Sequence, residues 1–109
     1  MKDAKSLADG IYLTFDDGPH PEVTPKLLAL LAKYEAKASF FLIGTYAERY
    51  PNLVKDIANA GHCVANHTFS HTPFHQIPVK SQWQEITKTK ELLEQTTGNT
   101  CKLFRAPQG

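Results

Sequence analysis

Two adjacent carboxylates, Asp16 and Asp17, stand directly before Gly18-Pro19, in the stretch Ile11-Tyr12-Leu13-Thr14-Phe15-Asp16-Asp17-Gly18-Pro19. Further along the chain come a histidine pair in His67-Thr68-Phe69-Ser70-His71 and an arginine in Leu103-Phe104-Arg105-Ala106-Pro107-Gln108-Gly109. Neighbouring acids repel, and at least one pKa rises unless a cation compensates. Imidazoles together with a carboxylate suit zinc or a similar transition metal, with positions left open for water. A metal held by one aspartate and two histidines lowers the pKa of its water and polarises a carbonyl. The other aspartate is then free to take the water's proton, with Arg105 holding that base ionised through a charge-assisted hydrogen bond. Such a site suits hydrolysis of an ester or an amide. The spacing of the two histidines carries little weight alone, since an isolated His67 or His71 reads as a capping or surface residue. Beside an Asp-Asp-Gly-Pro strand end it favours ligation. His20, His62 and His75 lack that placement and read as loop or surface residues. No serine or cysteine sits in a nucleophile motif, and no glycine-rich loop suits a phosphate.

The elements that must position these residues follow from local pattern. The residues before Asp16 are β-branched and aromatic, which reads as a buried strand. Thr24-Pro25 reads as the N-cap and first residue of a helix, with Leu27, Leu28, Leu30, Leu31 and Tyr34 forming its core face. Ala38-Ser39-Phe40-Phe41-Leu42-Ile43 is a nearly continuous apolar run, suited to a strand buried on both sides and ended by Gly44. A second helix starts at Pro51, turns Leu53, Val54, Ile57 and Ala58 inward and ends at Gly61. Cys63-Val64-Ala65 reads as a third strand running into Asn66-His67, followed by an irregular loop to Pro78. Ser81 with Gln84 matches a capping box, predicting a third helix to Gly98 whose sparse apolar face is Trp83, Ile86 and Leu93. Lys102-Leu103-Phe104-Arg105 reads as a fourth strand. Strands alternating with helices imply an α/β fold of parallel βα repeats with right-handed crossovers. Each chemical stretch then lies at the carboxyl end of a strand, where α/β folds collect their active sites.

Bulk properties narrow the classes. A chain of 109 residues is one domain at most, 1–109, and buries roughly 60–70% of its unfolded surface. Its formal charge of +1 is spread along the chain, without the basic run that a nucleic-acid groove or a membrane patch needs. No stretch approaches the ~20 apolar residues of a membrane span. Met1-Lys2-Asp3-Ala4-Lys5-Ser6 opens polar, with no apolar core of signal-peptide length behind it. A secreted or cell-envelope location therefore requires a signal removed beforehand. Cys63 and Cys101 are too few for a disulfide framework and read as small buried hydrophobes, although each lies four residues before a candidate site residue.

Thr14-Phe15-Asp16-Asp17-Gly18-Pro19, His67-Thr68-Phe69-Ser70-His71 and Phe104-Arg105-Ala106-Pro107-Gln108-Gly109 resemble the first three motifs of the polysaccharide deacetylases. This is the NodB-homology domain of carbohydrate esterase family four. The resemblance runs from about Ile11 to the last residue, in the family's order and spacing. It implies Asp16 as general base, Asp17, His67 and His71 as metal ligands, and Arg105 as the residue that orients Asp16. Pro107 would shape the groove wall. It further implies a divalent transition metal, zinc first and Co2+ or Ni2+ as alternatives. The implied reaction removes N- or O-acetyl groups from chitin or peptidoglycan N-acetylglucosamine, or from acetylated xylan. The implied fold is a distorted (β/α) barrel of about seven strands.

The family carries two further motifs, one with an Asp and a Trp and one with a Leu-His pair whose histidine is the general acid. It also places an aromatic residue just after the third motif. These have no counterpart before Gly109, so the chain reads as the amino-terminal half of the domain, about half of the barrel. The alternative reading is a catalytically silent half-barrel that binds metal or carbohydrate, or acts through assembly. Four parallel strands cannot close a barrel. The expectation is therefore an unpaired sheet edge, partly wetted Phe15, Phe41 and Phe104, and either pairing with a second copy or with the remaining half, or marginal stability alone.

Overall fold

The computed structural model describes residues 13–107. Ile11 and Tyr12, assigned above to the first strand, lie outside the described residues, as do the Met1–Ser6 opening and Gln108-Gly109 of the third motif. The described chain runs β1 (Leu13–Gly18), α1 (Val23–Lys33), β2 (Ala38–Leu42), α2 (Gly44–Arg49), α3 (Pro51–Asn59), β3 (Cys63–Asn66), a single 3-10 turn (Phe74–Gln76) and α4 (Val79–Thr97). The three strands form one parallel sheet in the order β1-β2-β3, so the expected α/β alternation holds.

Periodicity explains most of these elements. β2 is buried along nearly its whole length, as a central parallel strand must be, and Phe40, Phe41 and Leu42 are each less than 7% exposed. In α3, Val54 and Ile57 point into the core and are fully buried. The core gathers Leu31, Ala36, Ala38, Phe40, Leu42, Ala47, Val54, Ile57 and Leu93 from the sheet, from α1, α2, α3 and α4, and from the turn before β2. Phe15 on β1 packs against Phe40 on β2 with ring centroids 5.3 Å apart.

Several expectations need correction. The fourth strand is reduced to a single parallel bridge, Asn66 to Phe104. Asn66 N donates to Leu103 O and Arg105 N donates to Asn66 O, both at 2.9 Å. One residue before the expected strand, the amide of Cys101 is taken by Glu94 Oε2 on α4 at 2.8 Å. A further helix, α2, follows β2 directly; it begins at Gly44, where the local pattern predicts only the end of the strand.

The start of α1 also differs. Thr24 is buried inside the helix, and its Oγ1 accepts from His20 N at 2.8 Å. The free amides of Glu22 and Val23 donate instead to Nδ1 of His20, so a ring nitrogen supplies the cap. α4 begins at Val79, two residues before Ser81, with no side-chain cap. Of the α1 stripe only Leu31 is buried, whereas Leu30 and Tyr34 are exposed. Phe41 is buried rather than wetted, while Phe104 is exposed.

His62 is a buried residue and not a surface one: its Nδ1 accepts from Ala38 N at 3.1 Å. Burial lowers its pKa, and the nearby Lys37 cation lowers it further. Cys63 is exposed, against expectation, and Cys101 is half-buried. Both are free thiols lining one small cavity. Burial first, and then the charges of Glu94 and Cys63, push the Cys101 thiol up to about 11.

Candidate metal and hydrolytic site

Consecutive strand residues point to opposite faces, so neighbouring acids on a regular strand could not share one site. The end of β1 departs from regularity. Its register with β2 shifts between Asp16 and Gly18, and Asp17 takes a left-handed φ of 74°. A bulge of this kind re-aims a side chain. It separates the tasks of the two carboxylates while leaving both at the same strand end. A cis Gly18-Pro19 peptide follows, and Gly18 O accepts from Ile43 N at 2.9 Å.

Asp17 Oδ1 lies 3.2 Å from Nε2 of His67 and 3.2 Å from Nε2 of His71. These three donor atoms form a cluster within 4.8 Å of one another. Two ligands bound at zinc-like lengths of about 2.0–2.2 Å in a tetrahedral arrangement stand roughly 3.3 Å apart. The observed separations therefore fit one small divalent ion held by an Asp-His-His set.

The two histidines are held differently. His67 directly follows β3, its side chain is 3% exposed, and its Nδ1 lies 2.7 Å from the backbone carbonyl of Arg105. Since a carbonyl only accepts, Nδ1 donates to it, and Nε2 is the ring nitrogen that faces Asp17. His71 sits on the following loop with its side chain 36% exposed. That loop contains two residues with left-handed φ, Thr68 at 67° and His71 at 63°. With Asp17, three of the four non-glycine residues of positive φ among the described residues lie in this site. Each costs on the order of 1–3 kcal/mol and persists only where the surroundings enforce it.

The surroundings that enforce the loop come from four directions. Asn66 Oδ1 accepts from Thr68 N at 2.9 Å while Asn66 Nδ2 donates to Ile86 O on α4. Thr68 Oγ1 accepts from His71 N. The carbonyls of Thr68 and Phe69 accept from the amides of Gly44 and Thr45 at the start of α2, each at 2.9 Å. Glu85 Oε1 on α4 receives Phe69 N, Ser70 N and Ser70 Oγ. Gly44 is required here for space: a Cβ at this position would lie 2.9 Å from Phe69 Cα and 2.8 Å from Thr89 Oγ1.

Asp16 takes a different partner. Its Oδ1 accepts from Arg105 Nη1 at 2.8 Å, and the guanidinium carbon of Arg105 lies 4.1 Å above the ring of Phe41. The cation that the adjacent acids demanded is thus present, stacked on a buried aromatic floor. Phe74 stacks on Phe104 next to Arg105, with centroids 5.9 Å apart.

All five residues singled out from sequence for base and metal roles therefore meet at one end of the sheet. Pro107 follows Arg105 by two residues and is buried. His75 is exposed on the 3-10 turn, outside the cluster. Sequence reasoning missed Asn66, Phe41, Glu85 and Gly44. Asn66 had a signal, since a polar residue ending a buried strand beside a ligand needs a reason. Glu85 had none, because a glutamate on a half-exposed helix is unremarkable.

Comparison with known proteins agrees with this geometry. The family profile of polysaccharide deacetylases matches residues 3–109. A peptidoglycan-N-acetylglucosamine deacetylase of Bacillus cereus is 46% identical over 99 residues, covering 91% of this chain and 36% of that protein. A chitooligosaccharide deacetylase of Azorhizobium caulinodans is 39% identical, covering 91% of this chain and 48% of its own length. The solved structure of the peptidoglycan deacetylase PdaC from Bacillus subtilis superposes with a TM-score of 0.87 at 36% identity, over 90% of this chain and 48% of the other. The chain thus spans half or less of the length of these relatives.

Proposed function

The chain belongs to the polysaccharide deacetylase family, and we propose that it carries the metal-binding and proton-accepting half of a deacetylase acting on an acetylated polysaccharide. The observation that carries this reading is the separation of the adjacent aspartates, Asp17 toward two imidazoles and Asp16 toward Arg105. Relatives named for peptidoglycan and for chitooligosaccharides favour N-acetylated glucosamine polymers as the substrate class.

Asp17, His67 and His71 would hold one divalent transition metal, zinc first, with Co2+ or Ni2+ as alternatives. When bound, such an ion polarises an amide or ester carbonyl and acidifies a water molecule beside it. Asp16, paired with Arg105 at the same strand end, would be the general base that takes a proton from the attacking water. Arg105 would orient that carboxylate, since its guanidinium is held between Asp16 and the Phe41 ring. The Arg105 carbonyl fixes the His67 tautomer that leaves Nε2 free for ligation. Pro107 would contribute to the groove wall by stiffening the chain just after Arg105.

Acetate release from chitooligosaccharides and peptidoglycan, measured with zinc-loaded and chelator-treated protein, tests the reading. Release that depends on zinc and on Asp16 supports it. Zinc binding without acetate release from any acetylated polymer assigns this chain to binding or assembly instead.

A further inference from the structure

We propose that Glu85, on α4 and outside the metal cluster, is a positioning residue that holds the 68–71 loop and thereby presents His71 to the ion. The inference rests on the metal-site reading above and adds a residue to it. One oxygen of Glu85 accepts Phe69 N at 3.1 Å, Ser70 N at 2.9 Å and Ser70 Oγ at 3.0 Å. Successive amides that follow a left-handed residue form a concavity suited to an anion, and Thr68 is that residue. The carboxylate of Glu85 fills it from the neighbouring helix.

The dependence falls on His71 rather than on His67. Nδ1 of His67 is locked by the Arg105 carbonyl, and its ring is buried. Among the described residues the ring of His71 has no hydrogen-bonding partner besides Asp17, and it is one-third exposed. Its direction is therefore set by its own backbone, which lies one residue beyond Ser70. The backbone bonds to Gly44 and Thr45 engage the loop carbonyls, so they leave the amides of Phe69 and Ser70 to Glu85. Thr72 Oγ1 then donates to Ser70 Oγ at 2.8 Å, carrying the same chain of bonds past His71. Lys88, one turn along α4, covers the Phe69 ring at 3.9 Å and closes the contact between helix and loop.

The test compares Glu85→Ala and Glu85→Gln with wild type and with Glu91→Ala on the exposed face of the same helix. Amide hydrogen exchange at Phe69 and Ser70 is read without metal. Zn2+ affinity is read by calorimetry, and the ligand field is read from the visible spectrum of the Co2+-loaded protein. We expect Glu85→Ala to speed exchange at both amides, to lower Zn2+ affinity about 10–100-fold, and to change the Co2+ spectrum. Glu85→Gln keeps an acceptor oxygen and recovers most of each effect, and Glu91→Ala changes none. Wild-type exchange and Zn2+ affinity in Glu85→Ala would overturn the proposal. If Glu85→Ala does not fold, Glu85→Gln decides: near-wild-type Zn2+ affinity supports the acceptor role, and loss of folding or of binding overturns it. Wild-type protein that binds no Zn2+, yet whose Phe69 and Ser70 amides open without Glu85, would refute the metal site while supporting the anchored loop.

Discussion

The backbone carbonyl of Arg105 lies 2.7 Å from Nδ1 of His67, while the guanidinium of the same arginine lies 2.8 Å from Asp16. One residue thus touches both halves of the proposed chemistry, the ligand through its main chain and the base through its side chain. The single bridge between Asn66 and Phe104 makes this possible, because it sets Arg105 beside the end of β3. A longer fourth strand is not needed for that alignment.

The ligand assignment is tested with histidines close in sequence. His71→Ala removes a donor atom of the cluster, and tight Zn2+ binding should be lost. His75 is exposed on the 3-10 turn, and His75→Ala should bind Zn2+ within a few-fold of wild type. Calorimetric titration that finds equal affinities in the two variants would remove His71 from the ligand set.

The two aspartates should separate in the same assay. Asp17→Asn exchanges a charged ligand for a neutral one and weakens the metal itself. Asp16→Asn should keep the metal and lose roughly 10²–10⁴-fold in hydrolysis, the usual worth of a positioned base. Hydrolysis is read in whatever form of the protein releases acetate. Comparable metal loss in both variants would refute the division of labour.

That division was legible in the sequence only in part. The ligand types, the strand-end placement and the alternation of strands and helices follow from local pattern and from motif resemblance. Two features turn on side-chain bonds between residues close in sequence that residue propensities do not rank. The expected fourth strand is a single bridge, and the amide of Cys101 just before it goes to Glu94. The ring of His20 replaces the Thr24 hydroxyl as the cap of α1, a role that histidine propensity does not announce. The stripe Leu27, Leu28, Leu30, Leu31 and Tyr34 has helical period, but period alone does not say how wide a face the rest of the molecule covers.

Gly44 should tolerate no side chain. A Cβ there meets the Phe69 backbone, whose carbonyl bonds Thr45 N, and the Thr89 hydroxyl, which bonds Glu85 O within α4, so either retreat breaks a bond. Gly44→Ala is expected to destabilise by about 1–3 kcal/mol, the usual cost of overpacking, despite the better helix propensity of alanine. Denaturant melts measure the loss. An alanine variant as stable as wild type would show that the loop and α2 can separate at no cost.

His62 should make stability fall on acidification. Its folded pKa lies below the ordinary 6.5, first through burial and then through the Lys37 charge. The unfolded chain therefore binds the proton more readily than the folded one. The resulting contribution is fully present above about pH 6.5 and is lost as pH falls toward and through the lowered folded value. Protonation also puts a hydrogen on Nδ1, where Ala38 N now donates, so the first residue of β2 loses its acceptor. Thermal melts of metal-free protein from pH 7.5 down to about pH 5 should show a decline that is shallower in His62→Gln, whose amide oxygen accepts without titrating. Wild type and His62→Gln declining in parallel would mean that other groups carry the acid sensitivity.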